Sequence, residues 1–175
     1  MPTKPLSNLG NIGPEENLLI EFRDSLQPLL DRLYDLSHEE PNSNHVVATR
    51  TGTGQSMPIT VATKVLFNIV ESGDATLFDT TVGRFTPEIL GTYQILSTVD
   101  LPNIPSSSRV CLVIYKNGVE VWKGAESLIS ASVAGLIEIT SATDFVEIFL
   151  KHTDGSAQDT GVERSRIKFA GYKIP

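Results

Sequence analysis

The chain has 175 residues and a formal net charge of −7, with 40% hydrophobic and 20% charged residues. That length holds one full domain plus an appendage, and the apolar share is that of a globular chain. No basic block is present to neutralise phosphates, no apolar run reaches membrane-spanning length, and an acidic chain is poorly matched to an anionic membrane surface, so nucleic acid and membrane insertion are excluded as expected partners.

Taken in chain order, Met1 to Gly13 mixes proline, glycine and asparagine and has little to bury. It contains no apolar h-region of the secretory kind, so no signal peptide is expected. Leu6, Leu9 and Ile12 recur every three residues in it, which reads as a tail that docks extended on a larger assembly, with an unstructured leader of no role as the alternative. At Pro14 the texture changes. Proline suits the first helical position, and Glu15 and Glu16 complement the helix dipole. Leu19, Phe22, Leu26, Leu29, Leu33 and Leu36 follow at alternating spacings of three and four, the seam of a self-associating helix. From Glu15 to Glu40 there are eight acidic residues against two arginines. Pro28 interrupts the seam at a cost of about 3 kcal/mol, which predicts a kink or two short helices meeting near Gln27. An amphipathic helix lying on its own domain is the competing reading. Pro14 to Glu40 is thus read as a helical stalk, and Pro41 to Ala62 as a linker. The glycines of Thr51-Gly52-Thr53-Gly54-Gln55-Ser56 lack the lysine and helix of a phosphate loop.

From Thr63 to Pro175 the pattern is β throughout, with short alternating runs punctuated by turns. Strands are predicted over Lys64–Val70, Ala75–Asp79, Thr92–Val99, Arg109–Tyr115, Val119–Lys123, Leu136–Thr140, Phe145–His152 and Ile167–Ile174. Turns are predicted at Ser72-Gly73-Asp74, at Asp154-Gly155 and at Asn117-Gly118, a strong hairpin signal. In Val110–Tyr115 both faces are apolar. Val110, Leu112 and Ile114 can fill a core. Cys111, Val113 and Tyr115 then need another cover, and a subunit interface is the expected one, with a covering loop as the alternative. The single cysteine cannot form an internal disulfide and reads as a buried, inert thiol.

The run Lys64-Val65-Leu66-Phe67-Asn68, then Leu77-Phe78-Asp79, Val82-Gly83-Arg84-Phe85-Thr86-Pro87 and Gly91-Thr92-Tyr93, resembles the globular head of complement C1q and its relatives. Lys116-Asn117-Gly118, the small residues Ser130 to Gly135, Asp144-Phe145-Val146 and Phe169-Ala170-Gly171-Tyr172 continue the resemblance in order. Thr143 departs from it, standing where the family usually has glycine. The resemblance implies a mainly β chain: a C1q/TNF-like antiparallel jelly-roll sandwich, here carried on a short N-terminal α-helical stalk, forming a homotrimer. Such heads often bind calcium through loop carboxylates. Asp74, Asp79, Asp154 and Asp159 lie in predicted turns or strand ends, where solvated turn residues are the simpler reading, and no ligand is assigned.

No Gly-X-Y repeat and no Asn-x-Ser/Thr acceptor is present. With the short tail and helical stalk, this resembles the C1q-like heads of bacteriophage particles. The expectation is a non-enzymatic virion-surface protein, a capsid decoration, head fibre or tail-fibre tip. It would attach to a major capsid or tail protein and contact a host-surface glycan or protein. A cellular C1q-like secreted ligand or lectin is the alternative. His38, His45 and His152 are scattered and no catalytic motif accompanies them, so no enzyme and no cofactor is expected.

Overall fold

The computed structural model describes residues 44–59, 61–161 and 167–175. The predicted tail and stalk, and with them Leu6, Leu9, Ile12, Leu19, Phe22, Leu26, Leu29, Leu33 and Leu36, lie outside the described residues.

Among the described residues thirteen strands follow in order: β1 (His45–Thr49), β2 (Ser56–Met57), β3 (Thr63–Lys64), β4 (Ile69–Gly73), β5 (Phe78–Asp79), β6 (Arg84–Phe85), β7 (Gly91–Asp100), β8 (Val110–Lys116), β9 (Val119–Lys123), β10 (Ser130–Ile139), β11 (Val146–His152), β12 (Gln158–Asp159) and β13 (Lys168–Lys173). One sheet has the order β10-β7-β13-β1-β4. The other has β5-β6-β11-β8-β9, with β3 also paired to β11, and β2 pairs with β12 apart from both. All of these pairings are antiparallel. The chain changes sheet between β3 and β4, β4 and β5, β6 and β7, β7 and β8, β9 and β10, β10 and β11, and before β13, which is the winding of a jelly roll.

Alternation explains the layers. In β7, Tyr93, Ile95, Ser97 and Val99 are buried while Thr92, Gln94 and Thr98 are exposed; in β10 every second residue from Ala131 to Ile139 is buried. These faces meet Val110, Leu112 and Ile114 of β8 and Val146, Ile148 and Leu150 of β11 in one core. Phe67, Phe78, Phe85, Tyr93 and Phe169 form an aromatic cluster at one end, with ring centroids 5.0–6.0 Å apart. Phe169 and Gly171 share the inward face of β13. A Cβ on Gly171 would lie 3.0 Å from two atoms of the Phe85 ring, so the missing side chain is the space that ring occupies.

The main departures from the sequence reading lie in four segments, besides the short pair β2 and β12, which it did not predict. The segment taken as a linker holds β1, which lies between β13 and β4, with Val46 and Ala48 fully buried. Its five residues stand between two turn-rich stretches that mask them. The strand expected over Lys64–Val70 is two strands. Val65 N–H bonds to the Ile148 carbonyl and Asn68 N–H to the Thr49 carbonyl, so the piece between them crosses from one sheet to the other while burying Val65 and Phe67. Ala75–Leu77 is a 3₁₀ turn capped by Asp74, with only Phe78–Asp79 as strand. β10 begins at Ser130 rather than Leu136, because its small residues pair with β7 along its whole length.

The Asn117-Gly118 hairpin forms as expected. Both residues have positive φ, 52° and 77°, and Lys116 pairs directly with Val119.

Gly171→Val should force the Phe85 ring aside and cost about 1–3 kcal/mol, as overpacking does. Urea unfolding should show a lower midpoint at unchanged slope.

Candidate functional site

The outward face of the β5-β6-β11-β8-β9 sheet carries Cys111, Val113 and Tyr115. Cys111 is 5% exposed and Val113 not at all. The cover that the sequence reading assigned to a neighbouring subunit is present within the chain. Val113 lies between Phe149 of β11 and Lys123 of β9. The Lys151 ammonium, from the strand on one side, reaches Glu120 on the other at 2.9 Å, and the Tyr115 and Phe149 rings meet at a tilt with centroids 4.3 Å apart. Long side chains roof the strand by their stems and hold their charges at the rim. The shared bond raises the pKa of Lys151 and lowers that of Glu120. Burial pushes the Cys111 thiol up, against a smaller opposing pull from Lys123, so it stays a protonated, poor nucleophile.

Farther along this face Glu147 is nearly buried, and one of its oxygens accepts from Lys64 at 2.7 Å and from Arg84 at 3.1 and 3.2 Å. The Arg84 guanidinium also lies 3.8 Å from the Phe145 ring centroid. This cluster pins β6 and β3 against β11.

Asp144 ties the hairpin to the β10–β11 turn. Its carboxylate accepts from the Asn117 amide at 2.8 Å, the Lys116 ammonium at 2.9 Å, the Thr140 N–H at 2.8 Å and the Ser141 N–H at 3.1 Å. These bonds, Asn117 foremost, hold the carboxyl well below the usual range. Thr143, at the position where glycine was expected, is accommodated because the Ser141 hydroxyl accepts its N–H.

The outward face of the β10-β7-β13-β1-β4 sheet is different. Two cross-strand rows occupy its middle: Leu136, Gln94, Tyr172 and His45, and beside them Ala134, Leu96, Ala170 and Val47. Charges stand only at the margins, with Glu138 and Lys168 among them. Leu136 is 59% exposed and Tyr172 38%, the latter stacked on His45 with rings 5.8 Å apart. Sequence reasoning missed this face. Its signal was available: in the alternation of β7 and β10, Leu96 and Leu136 occupy positions that should be polar.

The remaining candidates are dispersed. Asp74 accepts from Thr76, Asp79 from Thr81, and Asp154 from Ser108, Ser156 and Gln158. These bonds lower the three pKa values, and the carboxylates are spent on their own turns. Asp159 lies in β12. Among the described residues no three of His, Cys, Asp and Glu are grouped as a metal would need. His152 is buried with a ring nitrogen 2.9 Å from the Met57 carbonyl, far in the sequence from His45 and on the other sheet. Among the described residues no helix is long and apolar enough to cross a membrane.

Comparison with solved structures is decisive for the fold. Murine APRIL matches with a TM-score of 0.57 at 10% identity, over 74% of this chain and 98% of its own. The globular domain of zebrafish complement 1qA matches at 0.52 and 16%, over 75% and 98%. PRD1 vertex protein P5 matches at 0.57 and 14%, over 76% and 98%. No family model matches the chain, and no curated protein matches it by sequence. The described residues form a C1q/TNF-like jelly-roll head.

Two outcomes follow from the geometry. Val113→Asp would place a carboxylate in a site with no exposure, so it should abolish folding, seen as loss of the β circular-dichroism signal. Asp144→Asn should lower Tm at neutral pH. A carboxyl whose folded pKa is depressed contributes fully above the ordinary value of about 4 and loses that contribution as pH falls toward the folded value. The variant's Tm should therefore fall less than wild type's between neutral pH and pH about 3.

Proposed function

We propose that the protein is a non-enzymatic display head, a homotrimer carried on a bacteriophage virion by its N-terminal segment and presented as a capsid decoration, head fibre or tail-fibre tip. The observation that carries the oligomer is the outward face of the β10-β7-β13-β1-β4 sheet. Leu96, Leu136, Ala134, Ala170 and Tyr172 form a continuous, nearly uncharged patch across three strands, and a second copy of the chain is the partner that the resemblance to C1q heads implies. Burying one such leucine contributes about 1.5–3 kcal/mol. Cys111 and Val113 are already covered, which leaves Tyr115 as the one residue of the β8 trio with surface to offer a neighbour.

The virion setting is supported by the likeness to PRD1 vertex protein P5 and by the absence of glycosylation acceptors from the sequence. In this reading Leu6, Leu9 and Ile12 lie along a major capsid or tail protein. Ordering the tail costs about 1–2 kcal/mol per residue, so a single tail binds weakly and three bind by avidity. A cellular C1q-like ligand or lectin is the second reading, favoured by the likeness to APRIL and to the complement head. Recovery of the native protein from a secreted fraction rather than from particles would select it.

Light scattering of the full chain should give three times the 19.0 kDa protomer mass. Leu136→Asp should yield a folded monomer; a variant that remains trimeric places the interface elsewhere. Deleting residues 1–13 should leave the trimer intact and abolish virion incorporation. Undiminished incorporation would remove the docking role from the tail.

A further inference from the structure

We propose that a groove on the outward face of β8 binds an acidic sugar, a saccharide unit bearing a carboxylate or phosphate. The groove has a volume of about 380 Å³, within the range of small-molecule sites, about 300–1,000 Å³. Cys111 lines it, Lys151 rises from β11, Lys123 and Glu126 from β9 and the loop after it, and Arg109 and Thr153 close one end.

Three features select the ligand. The first is charge: three cations and one carboxylate line the groove, and with Glu120 paired to Lys151 the balance is still positive, in a protein whose net charge is −7. Their ion pairs leave donors over. Lys123 meets Glu126 at 3.2 Å and Lys151 meets Glu120 at 2.9 Å, but each ammonium has three N–H groups. Arg109 gives a bond to the Ser108 carbonyl and has five donors in all. An oxyanion can therefore be bound without breaking a pair. The second is Glu126, an acceptor in the wall that repels a bare polyanion and suits a hydroxyl. A ligand carrying both an anionic group and hydroxyls satisfies both, and an inorganic ion would leave most of the volume empty. The third is rigidity. Thr153 and Arg109 exchange backbone and hydroxyl bonds at 2.8 and 3.0 Å, and the loop bearing Glu126 is fixed to β8 by paired bonds between Val110 and Ser127, both 2.9 Å. The walls are thus set before a ligand arrives, which limits the ordering cost.

The assignment deepens the proposed display role and rests on it for its biological setting, a glycan with repeated acidic units met by several heads at once. Its test is separate. Full-length protein is titrated with glucuronate, glucose 6-phosphate, glucose and inorganic phosphate, and read by calorimetry and by amide NMR shifts. The two acidic sugars should shift Cys111, Lys123 and Thr153 with Kd of about 1 mM, weakening as salt rises, while glucose and phosphate bind at least about tenfold less tightly. Arg109→Gln combined with Lys123→Gln, both exposed positions, should lower affinity about tenfold with circular dichroism unchanged, whereas Lys168→Gln on the other sheet should not. Equal binding of phosphate alone, meaning an adventitious ion only, would overturn the proposal. So would acidic sugars that leave these amides unmoved, or a double variant that binds as wild type. Trimer mass and virion incorporation of the double variant should match wild type, so failure of the sugar site and failure of the display role are read in different measurements.

Discussion

A sheet has two faces, and a two-layer sandwich can bury only one face of each of its sheets. Every outward-facing apolar residue must then be covered by something else or remain in water. This constraint organises the molecule. The inward faces are settled by a single core in which Phe85 fills the gap left by Gly171 and the aromatic cluster closes one end. The two outward faces are handled in different ways, and that difference generates both functional proposals.

On the sheet centred on β8, the outward face is roofed by the chain itself. Val113 is sealed between Phe149 and Lys123, with the Lys151–Glu120 pair spanning the strand. Exposed pairs of this kind contribute little as ion pairs, because solvent screens them; their value here lies in the methylene stems laid over apolar surface. A consequence of roofing with lysines is a rigid groove edged with cations. The same residues that shield Val113 give an otherwise acidic protein a local site suited to an anion.

On the other sheet nothing within the described residues plays that part. β7, β10 and β13 turn leucine, alanine and tyrosine side chains outward in adjoining rows, and the charges lie at the edges. Burial against another copy would remove that surface from water without any change in the fold, which is why the proposed interface is this face rather than that of β8.

Much of this was legible in the sequence. The β texture from Thr63 onward, the Asn117-Gly118 hairpin, the inward set of β7 and the space beside Phe169 all follow from local rules: period-two alternation, positive φ at a turn, and the absence of a side chain at Gly171. The class of fold was legible through the ordered resemblance to C1q heads. Three things were decided only by tertiary structure. His45–Thr49 is too short to announce itself, and becomes a strand because β13 and β4 offer it hydrogen bonds on both sides. Lys64–Val70 alternates like one strand, but its two ends bond to different sheets. The two apolar faces of β8 were visible in the sequence, whereas the identity of the cover was not: it depends on which long side chains of β9 and β11 the register sets beside Val113. Local patterning fixes which residues seek burial, and only the pairing of distant strands determines what buries them.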